Sequence, residues 1–163
     1  MSSDDSTVRP GETLLPFDAA EADDARLVFI GTIRSPWRER AACPKNMRFA
    51  RETGEGATVE IEPLFRAALE GLAPGASLHL LTWLHQSRRD LALQWPRRAK
   101  TASGTFALRS PVRPNPIGLH LVRLVAIDRD AGRLTIDAID VLDGTPLLDL
   151  KPYFASVDLP EGV

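Results

Sequence analysis

The chain has 163 residues, 44% of them apolar and 26% charged, a composition that suits one globular domain with a real core. A net charge of −2 excludes a global pull toward nucleic acid, and no apolar run approaches the roughly 18 to 20 residues that span a bilayer. The single cysteine, Cys43, excludes an intrachain disulfide, and the N-terminus lacks the basic start and apolar core of a secretory signal, so a cytoplasmic location without membrane is expected.

Residues 1–25 carry seven acids against one base and show no periodicity, so they read as a disordered or loosely attached acidic tail, with the folded domain over 26–163. RLVFIGTI (26–33) is apolar and β-branched and predicts a strand ending at Arg34-Ser35-Pro36. Residues 34–57 are rich in Pro, Gly and charge and predict a long loop, a feature more often functional than idle. TVEIE (58–62) predicts a short strand. Pro63 suits a first helical turn, and Leu64, Ala68, Leu69 and Leu72 have helical spacing over 64–72.

SLHLLTWLH (77–85) predicts a buried strand, with a helix as the alternative; QSRRDLALQWPRR (86–98) is basic and ambiguous, and Pro96 stops it. GTFALRS (104–110) predicts a strand. GLHLVRLVAIDR (118–129) and GRLTIDAIDVL (132–142) alternate apolar and polar residues about Asp130-Ala131-Gly132 and predict a β-hairpin. PLLDLKPY (146–153) predicts a last short strand or turn. Six or seven strands and one or two short helices predict a mainly β fold, a single antiparallel β-barrel-like domain. A doubly wound nucleotide domain is not expected, because no GxGxxG follows the first strand and there is no P-loop.

RSPVRPNPIG (109–118) is too stiff for a helix or a central strand. Each proline fixes φ and removes a donor, and Arg113 and Asn115 both precede a proline. The expected product is a pre-ordered loop presenting Arg109, Ser110, Arg113 and Asn115. The plainer reading is a rigid connector whose arginines pair with the acidic C-terminal third. In LDGTPLLDLKPY (142–153), Asp143-Gly144 signals a turn whose amides can bind a polar ligand. Asp149, Lys151 and Tyr153 alternate, so an extended chain puts them on one face, as a proton-transfer set or as a surface ion pair beside a half-buried phenol.

His85-Gln86 closes an apolar strand. His79, His85 and His120 lack metal-ligand spacing and Cys43 has no partner cysteine, so no metal site is expected. Residues 34–51 carry six bases against Glu39 alone, and residues 83–116 seven against Asp90 alone; the two runs either meet as one polyanion-binding face or stay separate solvated loops.

GTIRSPW (31–37), CPKN (43–46), WLHQ (83–86), GTFALRSPVRPNPIGL (104–119) and LDGTPLLDLKPY (142–153) together resemble the TsaA-like, or TrmO, family, from about Leu27 to Asp158. The resemblance implies a β-barrel, a homodimer, and an S-adenosylmethionine-dependent tRNA methyltransferase acting on N6 of threonylcarbamoyladenosine. It implies cofactor contacts at Pro44, Lys45, Asn46, His85, Gln86, Arg109, Leu121, Leu142, Asp143, Gly144 and Thr145. Asp149, Lys151 and Tyr153 are then the catalytic candidates, and Arg113 and Asn115 the substrate-binding ones.

Three departures stand out: Lys45-Asn46 replaces the usual Arg-Gln, Val112 stands where many members have histidine, and the sequence stops soon after KPY, where several bacterial tRNA enzymes of the family continue into a smaller domain. The alternatives are a methyltransferase acting on another RNA or a small molecule, and a non-catalytic ligand-binding module.

Overall fold

The computed structural model describes residues 7–96, 99–160 and 162. The first six residues of the expected tail, and Arg97 and Arg98 of the second basic run, lie outside the described residues. In chain order the elements are β1 (Thr13–Leu14), β2 (Gly31–Arg34), α1 (Met47–Thr53), β3 (Ala57–Ile61), a 3-10 helix at Pro63–Leu69, β4 (Ser77–Trp83), β5 (Leu91–Gln94), β6 (Ser103–Gly104), a 3-10 turn at Thr105–Ala107, β7 (Ile117–Asp128), β8 (Arg133–Ile136), β9 (Thr145–Pro152) and α2 (Ala155–Asp158). Two compact units result, one from residues 27–83 and 118–163, the other from residues 1–26 and 84–117.

The larger unit is a closed barrel in the order β2-β3-β8-β7-β4-β9, with β9 pairing back onto β2. This is the mainly β, antiparallel barrel that the strand count predicts. Alternation builds its interior: β4 points Leu78, Leu80 and Thr82 inward, β7 points Gly118, His120, Val122 and Leu124, and β8 points Leu134 and Ile136. Ile33, Val59 and Leu147 complete a core whose side chains are essentially inaccessible. Each such Leu, Ile or Val stabilises the fold by roughly 1.5–3 kcal/mol, so the barrel is held chiefly by apolar burial.

The smaller unit contains a three-stranded sheet, β1-β5-β6. Part of the stretch read as an acidic tail is ordered there: Thr13 and Leu14 pair with Leu93 and Leu91 of β5. Few apolar side chains are fully buried in this unit, Ala19, Leu91 and Pro116 among them. Side-chain hydrogen bonds take over. Gln94 Nε2 donates to Thr105 Oγ1 (2.8 Å) and to the Val112 carbonyl (2.7 Å), and Thr105 Oγ1 donates to the Leu91 carbonyl (2.7 Å).

Several local expectations are corrected. The strand expected at 26–33 forms only over Gly31–Arg34, where the backbone has partners on both β3 and β9; Leu27, Val28 and Phe29 upstream are exposed. The expected loop 34–57 contains α1. Asn46 caps its start, its Oδ1 accepting from Phe49 N (3.1 Å), and Gly54 in the left-handed region ends it. The helix expected over 64–72 is a 3-10 helix over Pro63–Leu69.

The strand expected at 104–110 shrinks to a two-residue bridge and a turn, because Arg113 draws in the carbonyls of Thr105, Leu108 and Ser110 that a ladder would use. The hairpin forms, but its second arm stops at Ile136. Residues 137–144 leave the ladder because side chains from elsewhere claim their backbone, as the next subsection describes.

Candidate functional site

In the barrel unit, the segment after β2 and the segment before β9 are stitched together. Ser35 Oγ donates to the Val141 carbonyl (2.8 Å), Trp37 Nε1 donates to the Ile139 carbonyl (2.8 Å), and Ser35 N donates to Asp143 Oδ1 (3.1 Å). Arg38 pairs with the other Asp143 oxygen at 3.2 Å.

This stitching shapes the Leu142–Thr145 turn. Gly144 sits at φ 80°, a conformation that disfavours other residues, and nothing would meet a Cβ there. Three of the turn's four amides are already spent: Asp143 N donates to Trp37 O (2.7 Å), Gly144 N to Ile33 O (2.9 Å) and Thr145 N to Leu142 O (3.2 Å). These three amides are therefore not free to donate to a polar ligand. What the turn offers a ligand is the partly exposed Asp143 carboxylate and the half-buried Leu142 side chain.

Pro44, Lys45 and Asn46 lead into α1. Lys45 is exposed, while Asn46 uses its carbonyl oxygen as the cap and keeps its amide hydrogens for other partners. Cys43 beside them is half-buried, and its thiol is pushed up to about 11, first by burial and then by the Asp140 carboxylate, with Arg40 opposing. A thiol so raised is a poor nucleophile at neutral pH. Leu121 lies on the outer face of β7 with an exposed side chain, and its carbonyl accepts from Arg51 Nη2; Arg51 also pairs with Asp137 at 3.2 Å.

Asp149, Lys151 and Tyr153 share a face, as expected, and that face is the outer wall of the barrel. A register shift between Leu81 and Thr82 against β9 makes this possible: Thr82 pairs with Leu147 and Leu81 with Asp149, so Leu148 is the extra residue. Asp149 and Lys151 are paired at 2.9 Å and both are substantially exposed. Tyr153 meets His79 edge-on, with ring centroids 5.6 Å apart, and His79 lies 3.8 Å from Asp158.

In the smaller unit, His85, Gln86 and Arg109 are exposed. Arg113 is not presented to solvent as a free cation. It donates to the carbonyls of Leu108 (2.6 Å), Thr105 (3.3 Å) and Ser110 (3.4 Å), and its guanidinium lies 5.9 Å from the Phe106 ring centre. Asn115 Oδ1 accepts from Arg89 Nη2 (3.5 Å), and Arg89 Nε donates to the Pro114 carbonyl (2.5 Å). The proline segment is thus fastened, within its unit, by its own arginine and by Arg89.

Four of the six bases in the first run form ion pairs, and Arg88 does so in the second. Arg34 pairs with Glu60, Arg48 with Glu52 and Arg88 with Asp90, in addition to the Arg38 and Arg51 pairs. Lys45, Lys100 and Arg109 are exposed. A polar groove of about 280 Å³ lies elsewhere on the barrel wall, lined by Thr32, Arg34, Glu60, Glu62, Arg66 and Arg133. None of the expected site residues lines it, and Arg66 is tied to the Ile61 and Asp130 carbonyls. Among the described residues no group of three or more His, Cys, Asp or Glu is placed to hold a metal, and no helix is long and apolar enough to cross a membrane.

One cluster escaped the sequence reading. His120, only 5% exposed, has Nε2 2.9 Å from Thr82 Oγ1 and Nδ1 2.6 Å from Asp140 Oδ1. Its only signal was its parity: on an alternating strand it falls on the same face as Val122 and Leu124.

The chain belongs to the TrmO family: the model of the tRNA-methyltransferase O N-terminal domain matches residues 32–159. It is 41% identical over 132 residues to a probable S-adenosyl-L-methionine-binding protein, VirR, of Rhizobium radiobacter, covering 81% of this chain and 73% of that one. It is 37% identical over 131 residues to the tRNA (adenine(37)-N6)-methyltransferase of Escherichia coli, covering 76% of this chain and 55% of that enzyme. The crystal structure of TrmO from Pseudomonas aeruginosa superposes with a TM-score of 0.67 at 37% identity, over 85% of this chain and 60% of that one. The chain therefore spans 55% of the length of the Escherichia coli enzyme and 60% of the Pseudomonas aeruginosa chain.

Proposed function

We propose that this protein is an S-adenosylmethionine-dependent methyltransferase that methylates N6 of the adenosine derivative at position 37 of tRNA, with threonylcarbamoyladenosine as the acceptor. The observation that carries this reading is the match to the TrmO domain over 32–159 together with a shared fold at 37% identity. tRNA is the proposed partner and the cytoplasm the proposed location.

The donor set suits the cofactor chemically. S-adenosylmethionine presents a carboxylate, an ammonium, a sulfonium and an adenine. Against these the barrel unit offers the Lys45 ammonium, the Asn46 amide, the Asp143 carboxylate and the apolar Pro44, Leu121 and Leu142, with Gly144 and Thr145 shaping the turn. Within the smaller unit, Arg109, His85 and Gln86 are exposed. When bound, the sulfonium supplies an electrophilic methyl group. The residues' work is then to orient the acceptor nitrogen in line with it, a contribution that positioning alone makes large.

The acceptor nitrogen loses a proton, and we assign that step to the Asp149–Lys151–Tyr153 face, with Asp149 as the acceptor oriented by Lys151. We assign Arg113 and Asn115 an indirect part in substrate binding, because both fasten the loop that carries Arg109. A homodimer is supported by the outward apolar side chains of β7, Leu119, Leu121 and Val125, which leave an uncovered strip on the barrel wall.

Mass spectrometry of tRNA nucleosides from a deletion strain tests the reaction: methylated threonylcarbamoyladenosine is expected to disappear, and an unchanged level rejects the substrate. A second reading, a cofactor-binding protein acting on something other than tRNA, is favoured by the 41% identity to VirR, a probable S-adenosyl-L-methionine-binding protein. Calorimetry with S-adenosylmethionine giving heat, alongside unchanged tRNA, selects it.

A further inference from the structure

We propose that Thr82, His120 and Asp140 form a buried hydrogen-bonded relay that positions the Leu142–Thr145 turn, and that Gly118 exists to make room for it. This rests on the reading of that turn as a cofactor contact. His120 is a positioning residue here: it touches neither cofactor nor substrate.

The argument begins with protons. Thr82 is fully buried and its hydroxyl faces His120 Nε2. Only one arrangement gives every proton an acceptor among the described partners. The hydroxyl donates to Nε2, and Nδ1–H donates to Asp140. Each link thus fixes the polarity of the next, and a fully satisfied buried chain of this kind is stiff.

Asp140 is the end that matters. Its side chain is 16% exposed, so the histidine is the main compensation for a carboxylate largely withdrawn from water. It lies in the stretch 137–144, which forms no strand; backbone bonds hold its two ends, at Asp137 and at Asp143-Gly144, while the side chains of Ser35, Trp37 and His120 hold its middle. Removing His120 leaves a buried acceptor unsatisfied. The relief open to the stretch is to shift Asp140 toward water, straining the Trp37–Ile139 and Ser35–Val141 bonds on either side of it. Leu142 and Asp143, two and three residues on, move with it.

Gly118 gives the same conclusion from steric grounds. A Cβ built there overlaps both His120 Nε2 and Thr82 Oγ1. The glycine that ends the RPNPIG motif is therefore required by the Thr82–His120 hydrogen bond. Two segments that look independent in sequence, IGLH and LDGT, act as one mechanical unit inside the barrel.

The test uses the full chain and two readouts. The first is the Trp37 indole ¹⁵N–¹H resonance, which reports the hydrogen bond to Ile139 O and needs no ligand. The second is S-adenosylmethionine affinity by calorimetry. His120→Leu is expected to shift the indole resonance and weaken the cofactor about tenfold, corresponding to loss of one buried charge-assisted hydrogen bond. His120→Asn keeps a donor for Asp140 and is expected to recover most of both. Gly118→Ala, which deletes no polar group, is expected to reproduce the leucine variant.

An unmoved indole resonance with unchanged affinity in His120→Leu overturns the proposal, as does an asparagine variant no better than leucine. If His120→Leu fails to fold, Thr82→Val and Gly118→Ala decide by the same two readouts. If the wild-type protein gives no heat with S-adenosylmethionine, the functional reading fails, and the indole resonance still decides whether the relay sets the turn.

Discussion

The barrel and the smaller unit are stabilised by different physics. The barrel hides Ile33, Val59, Leu78, Leu80, Leu124, Leu134, Ile136 and Leu147 from solvent. The smaller unit hides few apolar side chains and relies on polar ones with more than one partner, Gln94 and Arg113 above all. Apolar burial is non-directional and tolerates small shifts, whereas a two-partner amide works only in one geometry. The barrel is therefore expected to behave as a stiff scaffold, and the smaller unit as a set of loops whose shape is fixed at few points.

The largest effect is expected from Leu134→Ala, which removes a fully buried barrel side chain and costs about 2–5 kcal/mol, read as a lower denaturant midpoint of the whole chain. Gln94→Ala is the matching cut in the smaller unit. It strands the Val112 carbonyl and costs about 1–3 kcal/mol, but as faster amide exchange and proteolysis within residues 84–117 rather than as early loss of the barrel. If instead both variants lower one common transition equally, the contrast between the units collapses.

Asn46→Ala removes the cap of a seven-residue helix and is expected to cost about 1 kcal/mol, with fraying confined to α1 amides. The smallest effect is chemical. Because burial and Asp140 raise the Cys43 thiol to about 11, the folded protein is expected to react with iodoacetamide at pH 8 far more slowly than a free thiol. The sign follows: the neutral thiol is favoured in the folded state, so reactivity climbs and the small stabilisation fades as pH rises from 9.0 toward 11. Fast labelling at pH 8 means the stretch around Cys43 opens more readily than the barrel it adjoins.

The same contrast explains what could be read from the sequence. β3, β4 and β7 announce themselves because their burial alternates, and periodicity is a local property. α1 is not legible in the sequence because it is seven residues long and buries Ala50 alone, which leaves no periodic signal beyond the Asn46 cap. GTFALRS looks like a strand in composition, and what prevents one is an arginine several residues later.

The candidate site divides likewise. Motif resemblance points to Asp143 and Gly144, but which amides are spent depends on Trp37 and Ile33, about a hundred residues upstream. Side-chain parity put Asp149, Lys151 and Tyr153 on one face, while the register shift at Leu148 decided that the face points outward.

The barrel's ring order has a consequence for how the molecule comes into being. β9 bridges β2 and β4, so the ring closes only after residues 145–152 have been made, and β2 waits more than a hundred residues for one of its two neighbours. Until then a growing chain displays two unpaired strand edges, and pairing across such sequence separation is slow. The segment that names the family at its C-terminal side is also the one that ends this exposed interval. A defect in β9 is thus expected to appear first during synthesis, as chains lost to aggregation, before any change in the finished protein can be measured.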